Sequence, residues 1–305
     1  MRIVVTGGTG FIGRPLCLSL CAEGHTVTLL TRRPAEAQRL FGPAVTAVEW
    51  NGREPRSWEQ SLEGADAVIN LAGAPIADAR WSPARKRLLT DSRVLSTRLL
   101  VEALSRRSLR PRTFISASGI GYYGASDDRV LDEGAARGQG FLADLCLEWE
   151  AAALAAASFG TRVVIVRTGM VLEQDGGALP KMVLPFRLFA GGPIMPGTQW
   201  VSWIHRRDHI GLIQWALATS SVSGPVNAVA PGAVTMKTFC DALGQVLHRP
   251  SWLPVPEFAL KVALGELGTL MTTGQRVSPA KALAGGYTFQ YPTLEPALRA
   301  ILTKA

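Results

Sequence analysis

Charge and cysteine are what this 305-residue chain has little of: charged residues make up 18% against 47% hydrophobic ones, and there are 4 cysteines. That much apolar material lets the chain bury a substantial core, so disorder is excluded, and collagen and coiled coil go with it. So few cysteines in a chain this long do not form a disulfide framework. Long apolar runs are missing as well. A membrane span needs about 18 uninterrupted apolar residues, and the richest stretch, Phe258 to Leu270, is broken by Lys261 and Glu266. No leader pattern opens the chain, because Arg2-Ile3-Val4-Val5 runs straight into a glycine cluster. These absences give the expectation of a cytoplasmic protein with no membrane contact, built as one large domain or two modest ones.

Acidic residues are outnumbered, 24 Asp+Glu against 32 Lys+Arg, for a net charge of +8. Such an excess attracts nucleic acid, an anionic cofactor or an acidic substrate. The basic groups lie in short clusters, Arg32-Arg33, Arg85-Lys86-Arg87, Arg106-Arg107 and Arg206-Arg207, with neither a basic tail nor a stripe of interleaved aromatics. No nucleic-acid partner is expected; a small molecule is.

What is present is an alternation. Ile3-Val4-Val5, Val27 to Leu30, Val45 to Val48, Val68-Ile69, Phe114-Ile115 and Val163 to Val166 are short β-branched apolar runs, as expected of strands buried on both faces of a parallel sheet. Helical spacing lies between them. Ile12, Leu16 and Leu20 recur every four residues, Leu88, Ser92, Leu95 and Leu99 predict one apolar face, and Glu148 to Ala157 predicts a helix capped at Gly160. The order implies right-handed βαβ units and an α/β, Rossmann-type doubly wound parallel sheet. After residue 170 glycine and proline break the rhythm, and one strand-like run, Pro225 to Val229, returns to the sheet. The expected organisation is a cofactor-binding domain over 1–170 and a smaller substrate or C-terminal lobe over 171–305.

The strongest motif is Thr6-Gly7-Gly8-Thr9-Gly10-Phe11-Ile12-Gly13, which follows the first strand and opens the first helix. Gly7 permits a tight turn, Gly10 lets backbone approach a pyrophosphate, and Gly13 lets helix pack close to strand. The helix amino terminus then offers N–H groups and a positive dipole end to phosphate. Where a strand-two acid would accept from an NAD ribose, this chain has Thr31 followed by Arg32 and Arg33. Guanidinium groups suit a 2′-phosphate that an acid would repel, so NADP(H) is the expected cofactor.

Thr6 to Gly13, Asn70-Leu71-Ala72-Gly73, Ser116 to Gly124 and Trp203 to Asp208 together resemble the extended short-chain dehydrogenases/reductases. Trp149-Glu150-Ala151-Ala152, Val166-Arg167-Thr168-Gly169, and Leu184-Pro185-Phe186-Arg187 with Gly191-Gly192-Pro193 narrow the likeness to the atypical epimerase-family branch labelled nucleoside-diphosphate-sugar epimerases. The resemblance implies that Leu71, Ala72 and Gly73 line the cofactor, that Arg93 reaches it from the following helix, and that Val171 lies at its nicotinamide end.

That family's Tyr-x-x-x-Lys is missing. Its tyrosine shuttles the proton and its lysine depresses the tyrosine pKa and holds the nicotinamide ribose. Aligned on Glu150, the two positions are Leu142 and Cys146. Ser118 and Tyr122, at the end of the fifth strand, become the catalytic candidates, with Asp144 a weaker one. His205 and His209 share a helical spacing around Asp208 but lack a third ligand, so no metal is expected. Cys17 and Cys21 read as small buried hydrophobes, and Gly191 to Gly197 as a lid over substrate. Two functions stay open. One is an NADP(H)-dependent oxidoreductase or epimerase of a small substrate, a nucleotide sugar being one candidate. The other is a non-catalytic NADP(H)-binding protein that senses redox state.

Overall fold

The computed structural model describes residues 1–54 and 57–303. Seven strands form one parallel sheet: β1 (Arg2–Thr6), β2 (Thr26–Thr31), β3 (Val45–Glu49), β4 (Ala67–Asn70), β5 (Thr113–Gly119), β6 (Arg162–Thr168) and β7 (Gly224–Ala228), in the order β7-β6-β5-β4-β1-β2-β3. The order reverses between β1 and β4, which is where a sheet of this kind opens a crevice at its carboxyl edge.

The central strands β1, β4 and β6 are mostly apolar because both of their faces are covered. Ile3 and Val5 join one core with Leu16, Leu20, Phe41 and Ile213, while Val4 joins the opposite one with Leu100, Leu104 and Phe114. β6 repeats the pattern, with Val164 and Val166 on the first face and Val163 and Ile165 on the second. Each such side chain contributes about 1.5–3 kcal/mol by leaving water.

One expected face is displaced. The segment after residue 82 is helical over Pro83–Thr90 and Ser96–Ser105, but Asp91–Leu95 between them is a π turn. Its extra residue rotates the helix, so Leu88 and Leu95 are 40% and 50% exposed while Leu89, Arg93, Val94 and Leu100 are buried. The helix Phe141–Leu154 tightens into a 3-10 turn before ending at left-handed Gly160.

A separate core lies in the second half of the chain, where Leu179, Phe186, Trp203, Phe239, Leu243 and Leu298 are buried. Short pairings frame it: Met170–Glu173 runs parallel to Trp203–His205, and Trp200–Val201 antiparallel to Val234–Thr235. The helix Arg206–Ala218 leaves this core and buries Ile210, Leu212 and Ile213 against the main sheet. In return, Val130–Leu131 of the first half pairs with Arg276–Val277 of the tail. Among the described residues no helix is long and apolar enough to cross a membrane.

Candidate active site

Three glycines shape the turn after β1, each for a different reason. Gly7 has φ +70°, and a Cβ there would lie 2.7 Å from the Leu71 backbone. At Gly13 a Cβ would stand 2.2 Å from the Gly7 carbonyl oxygen, so helix and turn touch backbone to backbone. Gly10 is different: its Cβ would meet only the Gly7 oxygen, at 3.2 Å, and otherwise open space. A Cβ at 10 would crowd that oxygen, and beyond it this side of the turn lies open. The helix Gly13–Ala22 begins at Ile12 with no side-chain cap and no acid in its first turn, which leaves its positive end for an anion. Behind the turn, Thr6 Oγ1 donates to Asn70 Oδ1 at 2.7 Å and accepts from the Ala72 amide at 3.2 Å, and Asn70 Nδ2 donates to Thr97 at 2.8 Å. This buried lattice ties β1 to Leu71-Ala72-Gly73. The whole arrangement fits a dinucleotide pyrophosphate, with Thr9, Phe11 and Ile12 at its rim.

At the carboxyl end of β2, Thr31 accepts from the Arg33 amide, and Arg33 pairs with Glu36 at 3.1 Å. Arg32 is exposed and has no ion pair among the described residues. Of the two arginines, Arg32 is the one left for an external anion.

The chemical end of the crevice is filled. Leu142 packs on the turn Ile120–Tyr123, where a Cβ on Gly121 would meet it at 3.0 Å. The Cys146 thiol donates to the Gly119 carbonyl at 3.5 Å, and burial pushes its pKa up. Leu142 has no proton to give, and that of Cys146 is directed at the Gly119 carbonyl. Ser118 is buried, and its hydroxyl donates to Glu150 at 2.7 Å. The same carboxylate takes a forked pair from Arg167, at 2.9 and 2.8 Å, with both side chains buried. Arg167 donates onward to the Tyr123 hydroxyl at 3.0 Å, which itself donates to Asn227 at 2.7 Å. Burial opposes the Arg167 charge, but Glu150 more than offsets this and holds the guanidinium above its usual value. For Tyr123 burial wins, and its pKa is raised.

Tyr122 stands outside this chain of bonds. Its ring lies over the Arg167 guanidinium at 3.5 Å, it is half-buried, and its hydroxyl has no partner among the described residues. Ser118 and Tyr122 thus sit one turn apart with different duties: the serine hydroxyl is engaged by the protein and the tyrosine hydroxyl is not. Glu150 and Arg167 are the residues that sequence reasoning underused. A clue was present for Arg167, the lone charge between Val163 and Val171, since such charges are buried only with a partner; Glu150, two residues after Glu148, gave none.

The remaining candidates have structural partners. Exposed Asp144 pairs with Arg137. His205 stacks on Tyr291 at 4.0 Å and accepts from the Arg207 amide, whereas His209 bonds Thr168 at 2.9 Å, so the two do not converge on a common ligand. Cys17 is buried beside the sheet. The 191–197 loop, expected as a lid, is stitched to the following chain: Trp252 and Leu253 amides donate to Gly191, Val255 to Pro193 and Met195 to Val255, at 2.9 to 3.0 Å. Val171 is buried on its strand, and the neighbouring Gly176 and Gly177 pack against Phe11 of the glycine turn. Arg206 caps that contact, lying 5.0 Å from the Phe11 ring while pairing with Glu173 at 3.2 Å.

An α/β sheet of this order with a glycine turn at β1 defines a nucleotide-binding protein of the short-chain dehydrogenase/reductase type. The chain belongs to the NAD dependent epimerase/dehydratase family, whose pattern matches residues 3–229; residues 255–301 match a domain of unknown function, DUF1731. It is 44% identical over 304 residues to the chloroplastic epimerase family protein SDR39U1 homolog of Arabidopsis thaliana, covering 99% of this chain and 87% of that one. Epimerase family protein YfhF of Bacillus subtilis is 40% identical, with 99% and 98% covered. The crystal structure of human epimerase family protein SDR39U1 with NADPH superimposes with a TM-score of 0.88 at 35% identity, covering 100% of both chains.

Proposed function

We propose that this protein is an NADP(H)-dependent oxidoreductase or epimerase acting on a small substrate of the nucleotide-sugar kind, with Tyr122 as the group that exchanges a proton with it. The observation that carries the reading is Tyr122 itself, a hydroxyl without a partner among the described residues, seated on a buried cation and within the turn that packs on Leu142. Arg32 supports the choice of NADP(H), as does the NADPH in the human relative's structure. When bound, the nicotinamide supplies hydride transfer; the chain's own residues hold it and place a proton donor nearby. Gly7 to Gly13 receive the pyrophosphate, Arg32 the 2′-phosphate, and Ser118 acts indirectly by fixing Glu150 and so Arg167 beneath the Tyr122 ring. A second reading, a non-catalytic NADP(H) sensor, is favoured by the filled Leu142 and Cys146 positions.

Turnover of NADPH with panels of nucleotide-sugar ketones and small carbonyls separates the two. Tyr122→Phe is expected to slow the chemical step by roughly 10²- to 10⁴-fold while NADPH affinity stays unchanged. Turnover indifferent to the change would remove Tyr122 from the chemistry. Tight NADPH binding with no turnover on any substrate would favour the sensor.

A further inference from the structure

Two residues other than glycine have positive φ among the described residues, Phe189 at +61° and His248 at +54°. They meet at Arg249, which follows His248 and carries its guanidinium 4.4 Å from the Phe189 ring. A bulky side chain in the left-handed region costs energy that glycine would avoid. The Phe189 ring is 57% exposed, so burial does not offset that cost. Its neighbours share the exposure. Trp252, 65% exposed and the one exposed tryptophan among the described residues, donates its indole N–H to the Phe189 carbonyl at 3.0 Å. Leu253 is exposed beside it, and so are Leu184 and Leu188, one turn apart on the helix Leu179–Arg187 and its cap. Further along, the helix Glu257–Leu264 buries none of its residues and exposes Phe258 and Val262 one turn apart. An apolar surface on this scale marks an interaction site.

Its polar margin indicates what covers it. Lys181 and Arg187, on the same helix as Leu184, are exposed cations. At the end of the helix Met236–Leu247, beside Arg249, lies a hollow of about 690 Å³ whose lining includes Asp241, His248 and Ser251. Arg249 Nε and the Ser251 hydroxyl are buried and have no hydrogen-bond partner among the described residues. Asp241 is already paired with Lys237 at 2.7 Å, and the Gly244 and Gln245 carbonyls take the Arg249 and His248 amides. Two donors there await an acceptor, and the cations around them suit an anionic one. The backbone of the apolar strip is meanwhile satisfied, with the Gly191 carbonyl accepting from the Trp252 and Leu253 amides and that of Pro193 from Val255. Such groups can leave water without an unmet hydrogen bond. Apolar side chains with a tryptophan among them, bordered by cations, are the makeup of a bilayer-surface contact.

We propose that this face rests on a bilayer containing anionic phospholipid, with Phe189, Trp252 and Leu253 entering the acyl boundary while Arg249 and Ser251 receive a headgroup phosphate. The chain would lie on the membrane and not cross it. The expectation of no membrane contact rested on the lack of a spanning run and of a leader, neither of which a surface contact requires.

Sedimentation of the full chain with vesicles tests it, one set made of phosphatidylcholine alone and another with an equal part of phosphatidylglycerol. The mixed vesicles should carry the protein down, and the neutral ones should hold it about fivefold less tightly for each cation at the surface. Arg249→Gln should weaken the mixed-vesicle contact about fivefold. Phe189→Gly should weaken it about tenfold or more without lowering the melting temperature, since glycine suits the left-handed bend. Trp252→Ser should act like Phe189→Gly, and bromine on the lipid chains should quench the unaltered protein far more than Trp252→Phe. Binding that ignores both Phe189→Gly and Trp252→Ser would reduce the contact to net charge and overturn the proposal, as would no binding to either vesicle. Inorganic phosphate should compete no better than chloride at equal ionic strength; strong competition would make the hollow a free-phosphate site and overturn it. A dimer abolished by Phe189→Gly, in place of lipid binding, would give the face to a second copy and overturn it too.

Discussion

The two ends of the crevice are built from different materials. At β1 and β4 the site consists of backbone and of what has been left off it, with glycines at 7, 10 and 13 and an uncapped helix end. At β5 and β6 it consists of side chains already bonded to one another, Ser118 to Glu150 to Arg167 to Tyr123 to Asn227. Damage at the first end should therefore appear as lost affinity, and damage at the second as lost stability.

Arg167→Ala is the hardest blow to that contrast. It leaves a buried Glu150 carboxylate with only Ser118 to answer it, and removing one partner of a buried pair costs about 3–5 kcal/mol. Urea denaturation should show this loss. A midpoint close to that of the unaltered protein would mean the pair is replaced by water. At the other end, Gly10→Val should reduce NADPH affinity by at least about a hundredfold with little change in the melting temperature, since the added atoms project into space a ligand needs. If melting falls as much as binding, the two ends do not differ in kind.

A smaller effect sharpens the cofactor end alone. Arg32→Glu should cost NADPH about 1.5–3 kcal/mol for each charge-assisted bond lost and leave NADH less affected. Equal affinity of the unaltered protein for both would dispose of the 2′-phosphate assignment, whereas Arg33→Glu should matter less because Arg33 already has Glu36. The mildest test concerns acid. Burial pushes the His209 pKa down from 6.5 to about 4, so the fold holds this imidazole neutral while the unfolded chain would protonate it. Its contribution is intact above pH 6.5 and is lost as pH falls from there towards 4, at about 1.4 kcal/mol per pH unit. The difference in denaturation free energy between the unaltered protein and His209→Gln should shrink across that window. A pH-independent difference would show that His209 is reached by solvent.

The strands, their alternation with helices and the glycine turn were legible because they depend on local signals, β-branched runs and glycine spacing, that survive without knowledge of the rest of the chain. Leu142 and Cys146 were reached differently, through the family resemblance and an alignment on Glu150. Three things were not legible. The face of the 83–105 segment was misplaced because a π turn adds a residue that periodicity assumes away. Ser118 stood as a catalytic candidate, and its bond to Glu150 was not foreseen because that partner lies on the helix that follows. The pairing of the 191–197 loop with 252–255 was not foreseen, because glycine and proline signal a loop without telling which distant backbone will hold it.

The parallel pairing of Val130–Leu131 with Arg276–Val277 has a consequence for how the molecule comes into being. Ser202 stitches the same tail through Gln275 and Val277, and Asp208 holds Gln290 and Tyr291 by their amides at 2.7 and 2.9 Å. A segment made early is thus completed only by one made much later. On the ribosome the sheet can assemble strand by strand, but the excursion after β5 must wait, unmatched, until residues 276–277 have emerged. Residues 255–301, which have the outline of a separate module, act instead as the clasp that closes a garment already sewn.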